Sequence, residues 1–298
     1  MERRERMDAA GAVGLVGFSL LLGSNQVIIK LVNEGLQPVF WAGLRSVVAF
    51  ACLWLWLAAS RRPVRLVPGT RASGLLMGAI FSAEFLLLFL ALDLTTVTRV
   101  SVIFYTMPVF LAVAGHFLLP GERLTRRKTL GLALALSGTA WAILDRGAGG
   151  GAGSLAGDLC ALAAAMCWAA LPLVSRLTPI GRESPEMQIV WQVMVSAPIL
   201  LVVAPLFGPL MRDPGGWHWA GLGFQGVVIV ALSFVFWFRM LGRYPASAVA
   251  SFSFLTPVFG VLAGWLVLGE SVGPVIIGAL ALVCAGIVLI NTAPRRAA

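Results

Sequence analysis

The sequence predicts an all-α integral membrane protein of ten transmembrane helices, built as two inverted five-helix repeats with both termini in the cytoplasm. Three observations predict it. Apolar tracts long enough to cross a bilayer recur from end to end, basic residues crowd alternate loops, and local features repeat at offsets of 146 to 149 positions. With 59% hydrophobic and 12% charged residues, a chain of 298 residues carries more apolar side-chain surface than a soluble domain of that size buries. The tracts run over about 10–31, 38–60, 72–92, 97–119, 128–145, 155–175, 186–208, 217–239, 245–268 and 273–292.

The first tract follows three arginines, as a signal peptide would, but no small-x-small cleavage site closes it and the run continues to Lys30. An uncleaved first helix is expected. Pro38, Pro185 and Pro245 stand at helix starts, where a missing N–H costs nothing, whereas Pro108 and Pro257 fall inside the fourth and ninth tracts and are expected to kink them as hinges. Gly147 to Gly153 is the one flexible low-complexity segment, a linker between a first repeat of residues 1–146 and a second of 147–298, together one membrane domain.

Orientation follows from the basic residues. One side of the tracts holds Arg3, Arg4 and Arg6; Arg61, Arg62, Arg65 and Arg71; Arg123, Arg126, Arg127 and Lys128; and the pairs Arg176/Arg182, Arg239/Arg243 and Arg295/Arg296. The other side holds Lys30, Arg99, Arg146 and Arg212. The positive-inside rule puts the crowded side, and both termini, in the cytoplasm. The net charge of +9 therefore serves lipid headgroups, and no nucleic-acid partner is expected.

The repeat is clearest in the fourth and ninth tracts, where Pro108-Val109-Phe110 matches Pro257-Val258-Phe259, Ala114-Gly115 matches Ala263-Gly264 and Gly121-Glu122 matches Gly269-Glu270. Lys30 matches Arg176, Pro38 matches Pro185, Phe89 matches Phe238 and Gly138 matches Gly286. Five helices is an odd number, so the second half enters the membrane from the opposite side. Inverted halves support alternating access, in which a solute site opens first to one face and then to the other.

These features resemble the drug/metabolite transporter superfamily, EamA type. The stretch Arg99 to Gly138, with TMPVF, the GERLTRRK loop and GLALALSG, carries the resemblance together with TPVFGVLAGWLVLGES from Thr256 to Ser271. Within that superfamily the chain is similar to bacterial aromatic amino acid exporters. It departs in the first tract, where Leu22 takes the place often held by tryptophan, while Trp168 keeps it in the sixth. The resemblance implies export of small amphipathic metabolites, aromatic or other hydrophobic amino acids first, across a bacterial inner membrane, with other metabolites or drugs as the alternative cargo.

Polar residues in mid-tract mark candidate pathway positions, because lipid tolerates them only against protein or water. Glu84, in IFSAEFLLLF, reads either as a group that titrates or binds a substrate amine, or as a protonated acid bonded to a neighbouring helix; Ser233 is its repeat partner. Asn25 and Gln26 offer amides to a solute or to a neighbouring helix. Ser101, Tyr105 and Pro108 share one face at i, i+4 and i+7. Trp168, Trp237 and Phe254, on helices the resembled family uses for its pore, are aromatic walls for an aromatic solute. Arg45 either snorkels to the interface or binds a carboxylate. Trp217, Trp219 and Trp41 read as interfacial anchors, and His116 as a packing residue rather than a titrating one. The Gly74/Gly78 and Gly260/Gly264 pairs read as close helix packing.

Cys52, Cys160, Cys167 and Cys284 lie inside apolar tracts without metal-like spacing and read as small core residues, so no metal or cofactor is expected. No GxxxxGK followed by Ser or Thr occurs, so energy must come from a gradient. Two histidines and the lack of HExxH and GxSxG argue against an intramembrane enzyme. A scaffold or receptor is the remaining alternative, and the short loops argue against large partners.

Overall fold

The structure, a computed structural model, describes residues 7–59, 66–120, 122–145, 153–244, 249 and 251–291. Pro245, Gly121, residues 147–152 of the linker, and Arg3, Arg4, Arg6, Arg61, Arg62, Arg65, Arg146, Arg295 and Arg296 lie outside the described residues. The side chain of Phe238 does too.

The chain is all-helical: α1 (Ala9–Gly35), α2 (Pro38–Ala59), α3 (Arg71–Leu94), α4 (Val97–Phe104), α5 (Met107–Leu118), α6 (Arg126–Leu144), α7 (Leu155–Leu177), α8 (Pro185–Val203), α9 (Gly216–Phe224), α10 (Ser233–Arg243), α11 (Leu255–Leu268) and α12 (Pro274–Asn291). The α4/α5 and α9/α10 pairs each form one interrupted run, which leaves, among the described residues, ten runs on the ten predicted tracts. Seven of them are long and apolar enough to cross a membrane: Ala9–Gly35, Pro38–Ala59, Arg71–Leu94, Val97–Leu118, Leu155–Leu177, Pro185–Phe207 and Pro274–Asn291. The other three fall short for visible reasons. Helix α6 opens on Arg126-Arg127-Lys128, the α9/α10 run is broken by a π-helical stretch at Gln225–Leu232, and Phe252–Leu268 is a shorter apolar helix.

Side chains set the helix starts by accepting orphan backbone N–H groups. Asp8 Oδ1 takes Gly11 N at 2.8 Å for α1, and Gln37 Oε1 takes Phe40 N at 2.6 Å for α2. Thr96, Thr125 and Ser184 do the same for α4, α6 and α8.

The helices group into two compact units that each draw on both halves of the sequence, dividing α1 after Val27 and the α9/α10 run before Ser233. The unit of residues 1–27, 95–155 and 233–298 has its core where Val102, Ala142, Val261, Ile276, Ala279, Val283 and Ile287 interlock from α4, α6, α11 and α12. In the unit of residues 28–94 and 156–232, Met77, Leu171, Val174, Ile180, Trp191 and Val195 join α3, α7 and α8. There Gly74 and Gly78 give α8 its approach: a Cβ at Gly74 would lie 2.5 Å from the Trp191 ring, and one at Gly78 would run into Val195.

The two prolines expected to kink helices behave differently. Residues 105–106 are unwound between α4 and α5, and Pro108 opens α5 in its first turn. Ser101, Tyr105 and Pro108 therefore do not lie along one continuous helix face. Pro257 sits in the first turn of α11 behind a 3-10 turn at Ser251–Phe254, where no helical N–H is lost and no kink is needed. Pro172 and Pro198, which the tract reading passed over, lie inside α7 and α8.

Candidate functional site

The first unit holds a polar cluster in mid-span. Helices α1 and α4 run antiparallel there, and Ser101 Oγ donates to Gln26 Oε1 at 2.7 Å while, one turn along both helices, Tyr105 OH donates to the Leu22 carbonyl at 3.4 Å. Gln26 is 2% exposed and Ser101 fully buried. The backbones close in around this cluster because Gly23 of α1 and Gly260 of α11 lack side chains: a Cβ on Gly23 would lie 2.8 Å from Gly260 N, and one on Gly260 would strike Ser101 Oγ.

The same unit explains the Gly-Glu motif. Beyond the end of α11, Glu270 folds back so that its carboxylate accepts Val97 N at 2.7 Å and Thr98 N at 2.8 Å, capping α4 where the helix dipole favours an anion. Its Oε2 lies against Gly264, and Glu122 Oε2 lies in the matching position against Gly115.

The second unit holds the buried charges. Here the C-terminal part of α1 lies against the C-terminal part of α3, with Lys30 Nζ donating to the Leu92 carbonyl at 3.0 Å and Asn33 Nδ2 to the Phe89 carbonyl at 3.1 Å. Trp41 Nε1 donates to Asn33 Oδ1 at 2.7 Å. Deeper along α2 and α3, Arg45 and Glu84 are buried and interact electrostatically, and the Arg45 guanidinium lies 3.7 Å from the centre of the Phe85 ring. Phe81, Phe85 and Phe89 form a ladder on α3, with ring centres 4.5 and 5.9 Å apart, that Trp41 continues at 4.7 Å from Phe89.

At the end of this unit Lys30, Asn33, Glu34, Leu92, Asp93 and Arg212 line an open cleft of about 250 Å³. Arg212 grips Asp93 with two bonds of 2.7 and 3.0 Å and donates to the Asn33 carbonyl, beside an antiparallel bridge between Leu36 and Met211. Three cations of the basic-poor side thus close helix C-termini: Lys30 that of α3, Arg212 that of α1, and Arg99 that of α6 through the Ala142 and Asp145 carbonyls.

Of the residues singled out from sequence, the structure brings Gln26, Ser101 and Tyr105 together, with half-buried Asn25 beside them on α1. Trp237 stacks on Phe18 at 5.5 Å, and Phe254 packs separately against the α4/α6/α11/α12 core. Ser233 is buried at the start of α10. Glu84 and Trp168 belong to the second unit, where Trp168 packs on the Met77 cluster beside Ile80 and Phe81.

Three readings are corrected. Trp41 is fully buried and hydrogen-bonded, hence no interfacial anchor, whereas Trp217 and Trp219 are exposed. Arg45, 2% exposed, does not snorkel. His116 is exposed, accepting Leu124 N, and is not a packing residue. Sequence reasoning also missed the Phe81/Phe85/Phe89 ladder and Asn33. The signal was available in the i, i+4, i+8 spacing of the phenylalanines.

Known proteins share this architecture. A solved crystal structure matches 95% of the chain, and 96% of its own, with a TM-score of 0.66 at 21% identity, a likeness of fold. Among curated relatives, the "Uncharacterized transporter YoaV" of Bacillus subtilis is 28% identical over 92% of this chain and 94% of its own. The "Probable amino-acid metabolite efflux pump" of Salmonella typhimurium is 27% identical over 91% and 93%, and a protein of the same name from Escherichia coli is 26% identical over 83% of each. The model of the EamA-like transporter family matches twice, at residues 9–144 and 155–292, and the helical spans and buried mid-span polar groups accord with it: the chain belongs to the EamA-like transporter family.

Proposed function

We propose that this transporter exports small amphipathic metabolites, aromatic and other hydrophobic amino acids first among them, across a bacterial inner membrane by alternating access between two inverted five-helix repeats, residues 1–146 and 147–298. The observation that carries the reading is the set of polar side chains withdrawn into apolar spans, buried Gln26 and Ser101 with half-buried Tyr105 in one unit and buried Glu84 in the other. Such groups are costly in lipid and are kept where a polar cargo passes. Asn25, Ser233, Trp168, Trp237 and Phe254 complete the proposed substrate contacts, and the unwound residues 105–106 before Pro108, with the 3-10 turn before Pro257, serve as hinges.

Support for the repeat comes from the double family match and from the like placement of Glu122 and Glu270 against Gly115 and Gly264. Support for cytoplasmic termini comes from the basic loops, since the described cations of the sparse side are held by helix C-termini while Arg126, Arg127 and Lys128 stand exposed or half-exposed. The names of the Salmonella and Escherichia relatives support an amino-acid-derived cargo.

The test is counterflow in liposomes carrying purified protein, with labelled amino acids and other metabolites offered with and without an imposed proton gradient. Exchange of phenylalanine, tryptophan or leucine is expected. Exchange of none of the amino acids offered overturns the cargo and leaves family membership intact.

A further inference from the structure

Arg45 and Glu84 are bonded differently from three other charged side chains withdrawn from water, buried Glu183 and Arg99 and half-buried Glu270. Glu183 accepts from Val67 N at 2.9 Å and Thr70 Oγ1 at 2.7 Å, and Glu270 from two backbone amides. Arg99 is spent on two backbone carbonyls. These are structural charges whose valences are filled. Arg45 Nε and Glu84 Oε2 have no hydrogen-bond partner, although the residues are only 2% and 3% exposed. Two opposite charges withdrawn from water stabilise a structure only when hydrogen bonds fill what their mutual attraction leaves open. Here a donor and an acceptor are left over, one of each sign, on facing helices α2 and α3.

A zwitterion supplies the missing complement: a carboxylate for the planar guanidinium fork and an ammonium for the carboxylate. The ladder of Phe81, Phe85 and Phe89 lies alongside, with Arg45 stacked on Phe85 and 5.5 Å from the Phe89 ring centre, so an apolar or aromatic substituent has a wall to lie on. Cys167 of α7 also lies within electrostatic range of Glu84, and a neutral thiol brings no competing charge.

We propose that Arg45 and Glu84 form a two-point clamp for the α-carboxylate and α-ammonium of an amino acid, with the α3 phenylalanines receiving its side chain. This rests on the amino-acid cargo proposed above and adds Arg45 and the two-charge requirement to it. A cargo bound this way carries no net charge, so the four charges alternate in sign and none is left unpaired in the membrane interior.

Binding to detergent-purified protein, read by calorimetry, tests the clamp with L-phenylalanine, 2-phenylethylamine (no carboxylate) and 3-phenylpropionate (no ammonium), and with L-tryptophan and L-leucine as further zwitterions. The wild type is expected to prefer the zwitterion over either one-charge analogue by about tenfold or more, the loss of one charge-assisted contact. Arg45→Gln should abolish the preference over phenylethylamine, and Glu84→Gln that over phenylpropionate. Because either single variant leaves one buried charge alone and can fail to fold, Arg45→Gln/Glu84→Gln serves as a neutral pair that should fold and bind all three ligands within about twofold of one another. Folded variants that keep wild-type selectivity, or that lose all three ligands in parallel, overturn the clamp alone. A wild type that binds none of the three zwitterions overturns both the clamp and the amino-acid cargo.

Discussion

Removing the Glu270 carboxylate tests whether the Gly-Glu motif is a helix cap. Glu270 holds Val97 N at 2.7 Å and Thr98 N at 2.8 Å, two of the orphan amides of α4. Bonds from a charged acceptor are worth about 1.5–3 kcal/mol each when buried. The half-buried position and replacement by water argue for the lower end, so Glu270→Ala should cost about 2–3 kcal/mol. Glu270→Gln keeps one acceptor and its geometry and should cost about half of that. For a chain of this length, about 2 °C of melting temperature per kcal/mol converts these losses to roughly 5 °C and 2–3 °C. The assay is thermal unfolding of the detergent-solubilised protein followed by tryptophan fluorescence. The Thr96 cap on Arg99 N survives in both variants, so α4 should still form. An alanine variant melting within about 1 °C of wild type, or a glutamine variant falling as far as alanine, refutes the cap.

Other outcomes follow from the same packing. Gly260→Ala drives a Cβ into Ser101 and should cost about 1–3 kcal/mol, with Ser101→Gly restoring part in the double variant; equal melting of Gly260→Ala and wild type would falsify the close approach of α1, α4 and α11. Asn33→Ala strands the fully buried indole N–H of Trp41 and removes a second bond to the Phe89 carbonyl, an expected loss of about 2–3 kcal/mol in the same melts. Arg212→Ala, which breaks a partly exposed pair with Asp93, should cost less than about 1 kcal/mol, and a ranking in the reverse order contradicts this assignment. Green fluorescent protein fused at the C-terminus should fluoresce and alkaline phosphatase fused there should stay inactive; an active phosphatase reverses the orientation.

Much of the architecture was legible because lipid leaves few choices. Apolar runs of about twenty residues become helices there whatever their detailed order, since every backbone group must be satisfied internally. The predicted tracts accordingly fall on ten helical runs, and helix starts at Pro38 and Pro185 are where proline placed them. The helix ends were less legible. Helix α1 extends to Gly35 because Lys30 and Asn33 are taken up by α3 carbonyls, and no local feature of the first tract announces those partners. The π-helical stretch at Gln225–Leu232 was likewise invisible to a reading by hydrophobic length.

For the candidate site the same division holds. Spacing along the fourth tract set Ser101 and Tyr105 four residues apart, but only the fold supplied Gln26 and the Leu22 carbonyl as what they meet. Sequence by itself determined membrane residence, the helical count and the presence of charges that an apolar span must answer for, because these depend on composition along a single helix. Whether Trp41 lies at an interface or in a core, whether Arg45 reaches water or Phe85, and whether Glu270 is free or spent on α4 was decided by the tertiary structure alone. Each of those answers depends on an atom contributed by another helix, and distances between helices are not written in the spacing along one.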